Sequence, residues 1–237
     1  MLKKRLWFLA FALIMLLCAC GQPELNSDLE FPKISWDMTP EEVLKAYGIS
    51  REEAALYEEG EQEIRLRLDN VELFGQTAEH VFINFADFSG NEDLAEKKEI
   101  YKLYEIKAYY EQSSDMKVVK DKLDQAYGST IPAYYHFMPL TLDQMREDAY
   151  KESDNAKYWG NSLLKDVIPE EHLEAYKEQW KFYQIGLNDD NWDFFKDNAR
   201  MVVVIMADNE GENGKAISWN AKNLAVYHTI SSQIDNK

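Results

Sequence analysis

Leu6 to Leu17 is an unbroken apolar run of twelve residues behind a basic head, Met1 to Arg5, that carries Lys3, Lys4 and Arg5. As a helix it falls short of the roughly 20 residues needed to cross a hydrocarbon core of ~30 Å. It has the length of the apolar region of a secretory signal. This end of the chain therefore sets the compartment in which the rest must fold. Two cysteines, Cys18 and Cys20, follow the run directly, and no other cysteine occurs. A chain maturing beyond them folds without a disulfide, a thiol nucleophile or a cysteine-based metal site.

The stretch Leu17-Cys18-Ala19-Cys20-Gly21 resembles the bacterial lipobox, with an apolar residue three positions before the modified cysteine and a small one immediately before it. The resemblance implies that Cys20 receives a diacylglycerol and acyl chains such as palmitate, and that residues 1–19 leave as a lipoprotein signal peptide. Cys18 fits less well, because Leu17 would then stand where a small side chain is needed. Two or three acyl chains on one residue hold far more firmly than one. The expected location is the outward-facing side of the cell membrane. Residues 20–32 are polar, with Pro23 and Pro32 and no apolar periodicity. They read as a lipidated tether for a single extracytoplasmic domain over 33–237.

Charge excludes a class of partner. The chain holds 43 acidic against 26 basic residues, a formal net charge of −17, and loss of Lys3, Lys4 and Arg5 takes it to −20. Such a surface repels phosphate backbones, so no nucleic-acid partner is expected. A charged fraction of 29% beside 46% hydrophobic residues is globular rather than disordered composition.

Local signals then lay out the domain. Thr39, Pro40 and Glu42 form a capping box with proline at the first helical position, predicting a helix that stops at Gly48. Ser50 and Glu53 repeat the pattern and predict a second helix from Arg51 to about Glu59. Strands are expected at Gln62–Leu68, His80–Ala86 and Tyr101–Tyr110, with turn chemistry at Asp87–Asp93. A helix follows over Asp115–Ala126, ending at Gly128. Beyond it, Thr141–Glu152 and Pro169–Gln184 read as helices, Met201–Met206 as a buried strand, and Asn223–Ile230 as a last strand. The expected class is α+β: one antiparallel sheet of about five strands, helices on one side, and a helical insertion at about 141–184. Ala46-Tyr47-Gly48 and Ala126-Tyr127-Gly128 close two helices alike. An old duplication would produce that echo, and so would two amphipathic helices that happen to end the same way.

Trp36-Asp37-Met38-Thr39-Pro40-Glu41-Glu42-Val43 resembles a Trp-x-Met-Thr-x-x-Glu-Val helix found in uncharacterised lipoproteins of Gram-positive type. More distantly it is similar to the small outer-membrane assembly lipoproteins and the β-lactamase inhibitor protein fold. Asp37 stands where glycine is usual. The resemblance implies an extracytoplasmic α+β module, more often protein-binding than catalytic.

Chemical sites are sparse. His80, His136, His172 and His228 make no helical metal pair, and Ser113, Ser114 and Ser162 lack the context of a strained nucleophile turn. Asp189, Asn191 and Asp193 have the alternating oxygens of a calcium loop's first half and are the candidate metal ligands. Phe194 stands where the loop needs glycine, and Arg200 where it needs the bidentate glutamate. Asp208, Glu210 and Glu212 make a weaker set of the same kind. Tyr109, Tyr110, Tyr134, Tyr135, Trp159, Trp180 and Trp192 can serve either as core or as a sugar- or peptide-binding face. No residue is identified as catalytic and no cofactor is expected beyond that possible calcium. The leading expectation is a lipid-anchored, non-catalytic interaction module with a protein partner in the envelope. A carboxylate-based, calcium-dependent envelope hydrolase is the alternative.

Overall fold

Alternating apolar residues in three consecutive segments commit the middle of the chain to an antiparallel meander. The computed structural model describes residues 29–60, 62–88, 101–131, 156–160, 162–183, 187–208 and 214–234. In chain order these hold α1 (Pro40–Tyr47), β1 (Leu56–Glu59), β2 (Glu63–Leu73), β3 (Gln76–Asp87), β4 (Tyr101–Tyr110) and α2 (Met116–Tyr127). Then come β5 (Ala156–Gly160), α3 (Leu164–Val167), α4 (Glu170–Tyr183), α5 (Asp189–Asn198), β6 (Val203–Asp208), β7 (Lys215–Asn220) and α6 (Lys222–Ile234). The fold is α+β with one antiparallel sheet, in the order β1-β2-β3-β4-β7-β6-β5. Seven strands stand where about five were expected.

The register explains the core. Ile64, Leu66 and Leu68 lie opposite Phe85, Ile83 and Val81. Ile83 and Val81 face Ile106 and Ala108 of β4, which face Trp219 and Ile217 of β7. Those two meet Val204 and Met206 of β6, and Val204 meets Trp159 of β5. Every one of these side chains is buried. Val43 and Leu44 of α1 and Met116, Val119 and Leu123 of α2 join the same cluster. Both helices start as their sequences dictate: Thr39 and Glu42 complete a reciprocal capping box, and the Asp115 carboxylate accepts the Lys117 N–H.

β2 and β3 change phase together. The inward positions run Ile64, Leu66, Leu68 and then Leu73 on β2, and Phe85, Ile83, Val81 and then Ala78 on β3. Asn70, at φ 56°, takes up the extra residue on β2. On β3 the register against β4 shifts between Ala78 and His80, as at a bulge.

Four expectations are corrected. Arg51–Glu59 is no helix: Glu53 and Ala54 both donate to the Ser50 carbonyl to close one turn, and then Leu56–Glu59 pairs with Ile64–Arg67. Tyr57 packs against the core from that strand, and this tertiary gain overrides the local cap. Asn223–Ile230 is not a strand but lies within α6, where Asn223, Ala225, Val226, Thr229 and Ile230 are the buried set. Those positions fit a helical stripe better than a two-residue repeat. The insertion at 141–184 is not wholly helical, since Ala156–Gly160 forms the β5 edge strand; Thr141–Glu152 lies outside the described residues. Helices also occupy both faces of the sheet. α3 to α6 enclose a second core of Tyr176, Trp180, Trp192, Phe195, Val226 and Ile230, which meets the sheet at Ala86 and Tyr104.

Residues 29–36 form a strap across the first core. Leu29, Phe31, Ile34 and Trp36 are all buried, so the folded body begins before residue 33, inside the stretch that reads as tether. Phe31 meets Trp219 edge-on, with centroids 4.9 Å apart. The Tyr127 hydroxyl donates to the Glu30 carbonyl at 2.7 Å and accepts the Trp219 indole N–H at 3.0 Å. Tyr47 donates to the Pro32 carbonyl at 3.0 Å. The two tyrosines that end α1 and α2 alike thus share a task. Phe74 sits in the two-residue β2–β3 turn at φ 52°, beside Gly75 at φ 78°. Such a turn demands positive φ at both central residues, and for phenylalanine that costs roughly 1–2 kcal/mol. Its ring offsets the cost by stacking on Trp219 and meeting Tyr127 edge-on.

Tyr127→Phe should strip the Trp219 indole and the Glu30 carbonyl of a shared partner. Leaving a buried group unpaired costs about 1–3 kcal/mol, and each kcal/mol lowers Tm by ~2–4 °C at this size. Thermal unfolding followed by circular dichroism should show that drop, whereas Tyr109→Phe on the opposite face should melt with the parent. Equal melting of the two variants would refute the clamp.

Candidate interaction surface

Strand alternation that buries one face delivers the other face ready-made. Leu56, Arg67, Phe82, Lys107, Ser218, Ile205 and Tyr158 stand side by side across all seven strands. One row along, Asp69, His80, Tyr109, Ala216 and Ala207 do the same from β2 to β6. Among the described residues, the second core reaches this face at the Ala86 and Tyr104 end. Phe82, Tyr109, Tyr158 and Ile205 belong to neither core, and Tyr109 is 37% exposed. Phe82 and Tyr109 meet edge-on at 5.9 Å, with His80 next to Phe82.

A polar ladder borders these rings. The Arg65 guanidinium donates to Asn84 at 3.3 Å, the Asn84 amide donates to Glu105 at 3.0 Å, and Lys107 pairs with Glu105 at 2.9 Å. Arg67 pairs with Asp69 at 3.0 Å, and His80 meets the same carboxylate at 2.8 Å. Toward the covered end, burial pulls the Lys222 ammonium below the usual lysine range, with Glu105 and Glu63 opposing it. The Tyr104 hydroxyl donates to Glu63 at 2.7 Å; burial, reinforced by that carboxylate, pushes the phenol up. Cations are scarce in a chain of net charge −17, yet Arg65, Arg67 and Lys107 gather here among rings that can take a partner's apolar side chains.

Two clefts flank the strap on the other face. One of about 420 Å³ is lined by strap residues with Phe74 and Tyr127, and one of about 570 Å³ lies between the strap, Ile49 and the outer edge of β2.

The sequence-predicted metal ligands are dispersed. Asn188 caps α5, its side-chain oxygen accepting the Asp190 and Asn191 N–H groups, so 189–193 is a helical turn rather than an ion-wrapping loop. Asp189 pairs with Lys177 at 2.6 Å and Asp193 with Lys196 at 3.3 Å. Asn191 is buried, its oxygen accepting the Asn188 N–H at 2.9 Å. Among the described residues no group of three or more acidic, histidine or cysteine side chains is placed to hold a metal. Asp208 ends β6, while Glu210, Glu212, His136, Tyr134, Tyr135 and Cys20 lie outside the described residues.

Of the candidate aromatics among the described residues, only Tyr109 faces out from a strand. Tyr110, Trp159, Trp180 and Trp192 are core. The Trp159 indole donates to Asp124 and to the Gly128 carbonyl, both at 3.1 Å. His172 sits beside Tyr227 on neighbouring helices. No helix among the described residues is long and apolar enough to cross a membrane. No family model matches the chain, and neither a curated protein nor a solved structure matches it.

Arg65, Arg67, Phe82, Asn84 and Lys107 form no motif in the sequence, although a signal for them is present. The same alternation that nominates Ile64, Leu66 and Leu68 for the core nominates Arg65 and Arg67 for the reverse face, and Phe82 is the apolar residue out of phase.

His228, expected in a strand, lies on α6. Burial holds its imidazole below the usual range, Lys102 adds to this, and Asp37 opposes it. The unfolded chain therefore takes up this proton more readily than the folded one. Stability should decline as pH falls through and below ~6.5, the ordinary histidine value. His228→Gln should flatten that part of a denaturant-midpoint-versus-pH profile. An unchanged slope would assign the pH dependence elsewhere.

Proposed function

We propose that the protein is a lipid-anchored extracytoplasmic interaction module, held by acyl chains on Cys20 and presenting the open face of its sheet to a protein partner in the envelope. The observation that carries this reading is the half-exposed row Phe82, Ile205 and Tyr158, with Tyr109 beside it, outside both cores and interleaved with Arg67 and Lys107. Aromatic and arginine side chains are what the buried centres of protein interfaces favour. The strap bears on the anchoring half: Leu29, buried in the first core, stands nine residues after Cys20. At up to ~3.6 Å per residue those nine residues can span no more than about 30 Å.

Among the described residues three carboxyls have displaced titration, all downward and all exposed, so none of the three is a candidate general acid. The Thr39 backbone and hydroxyl pull Glu42 down, its own N–H and Ser50 pull Glu52 down, and a hydrogen bond from Lys117 pulls Asp121 down. A general acid needs the opposite direction.

Two measurements test the reading. Cys20→Ala should abolish incorporation of labelled fatty acid and move the protein from the detergent to the aqueous phase on phase partition; label persisting on that variant would assign the lipid to Cys18. On intact cells, a photo-cross-linker replacing Tyr109 should give a discrete adduct that Arg67→Glu weakens tenfold or more. The same group at Lys122, exposed on α2, should give none, and equal yields at the two positions would reject the open face.

A further inference from the structure

β2 is longer than the strand beside it. β1 pairs with β2 only as far as Arg67, while β2 continues to Leu73. From Leu68 to Glu72 its outer side has no strand among the described residues, and all five lend atoms to the 570 Å³ cleft. Because alternate side chains of a strand point to opposite faces, five consecutive residues border one cleft chiefly through the backbone edge. An edge of this kind is a template for an added extended chain. Opposite it stand Ile49 and the Tyr47 ring, which with Leu68 and Val71 supply apolar walls.

The rim is acidic. Glu53 and Glu72 stand against one cation, Lys33; Asp69 lines the cleft too, but its carboxylate is turned to the open face. Glu53 accepts the Ser50 N–H, Asp69 pairs with Arg67 and His80, and Glu72 accepts from the Thr77 hydroxyl. Glu53 and Glu72 are exposed, and each has one carboxylate oxygen outside these bonds. We propose that this cleft is the docking site for an extended, positively charged peptide segment of a partner protein. The proposal rests on the protein-binding reading and names a second contact, distinct from the open sheet face.

Charge complementarity selects the occupant. A chain of net charge −17 attracts basic segments and steers them to an acidic rim, and it repels a second copy of itself. Asn70 points the same way. Its left-handed φ of 56° breaks the edge midway, which hinders a long, regular strand from another copy. A short peptide needs only the backbone groups on either side of the break, with its apolar side chains on Ile49 and Val71 and its basic ones at the rim.

The test uses the full chain in mild detergent with three dye-labelled peptides: an alternating Lys-Val octamer, its Glu-Val counterpart, and the Lys-Val octamer N-methylated at alternate residues. Fluorescence anisotropy should give the first at least tenfold tighter binding than either of the others. Hydrogen exchange should slow at least tenfold at Leu68–Glu72 when it binds. The paired substitution Glu53→Gln and Glu72→Gln keeps the side-chain oxygens, and hence the local bonds, while removing two charges. It should weaken binding fivefold or more.

Equal affinity for the three peptides, or a Lys-Val octamer weaker than about 1 mM, overturns the proposal. So does protection of Leu68–Glu72 that grows with protein concentration alone, which would assign the edge to a second copy. Protection at Phe82–Tyr109 instead would sink this cleft while leaving the interaction module intact. That reading fails separately, through the cross-linking from Tyr109.

Discussion

The Tyr127 hydroxyl joins three parts of the chain that are far apart in sequence. It takes the Trp219 indole proton from β7 and gives its own to Glu30 in the strap, while its backbone ends α2. Burial pushes this phenol above the ordinary tyrosine range, with the Trp219 hydrogen bond acting the other way. A buried hydroxyl with both a donor and an acceptor in place leaves no polar group stranded. Around it Phe31, Phe74 and Trp219 pack ring to ring, so the N-terminal strap, the β2–β3 hairpin and β7 are fixed relative to one another. The Phe74 turn, costly by itself, becomes affordable because its ring has this cluster to enter.

How much of this was legible in the sequence follows the range of the forces involved. α1 and α2 were readable to within a residue because capping is local: Thr39 with Glu42, and Asp115, satisfy backbone groups two or three positions away. β2 and β3 were readable because each alternates long enough to show its period, and β4 because it is long, aromatic and rich in β-formers. Ser50 and Glu53 gave an equally good local signal and failed, because Tyr57 gains more from the core than the cap does from a helix. Residues 223–230 misled for another reason. Leu224, Val226, His228 and Ile230 happen to alternate, and nothing in that window records that Asn220 accepts the Lys222 N–H and starts a helix. β5 has five residues and exists because β6 offers an edge, a fact located some fifty positions away.

The candidate surface was legible in half. Strand alternation implied a reverse face, but the separate aromatic and acidic signals pointed elsewhere, and most of the described rings are core. The acidic run Asp189 to Asp193 resembled a cation loop because oxygen-rich turns and helix N-termini use the same residues. Asn188 decides between them by capping, and Lys177 and Lys196 then draw the two carboxylates apart. No local pattern carries that outcome, since Lys177 comes from a different helix.

The paired phase change at Asn70 and Glu79 links the two surfaces. Up to Asp69 and His80 the sheet keeps one alternation, and their side chains meet on the open face. Past the slip, the alternation inverts and Leu73 and Ala78 turn inward. Without it, β2 would send Glu72, rather than Leu73, toward the buried side next to Tyr110, whose hydroxyl donates to the Leu73 carbonyl. The slip therefore preserves the core at the hairpin end. It also leaves the outer edge of β2 irregular and uncovered where the strap passes. Where two strands slip in step to keep one face buried, the edge they disturb is the part of the sheet most open to something else.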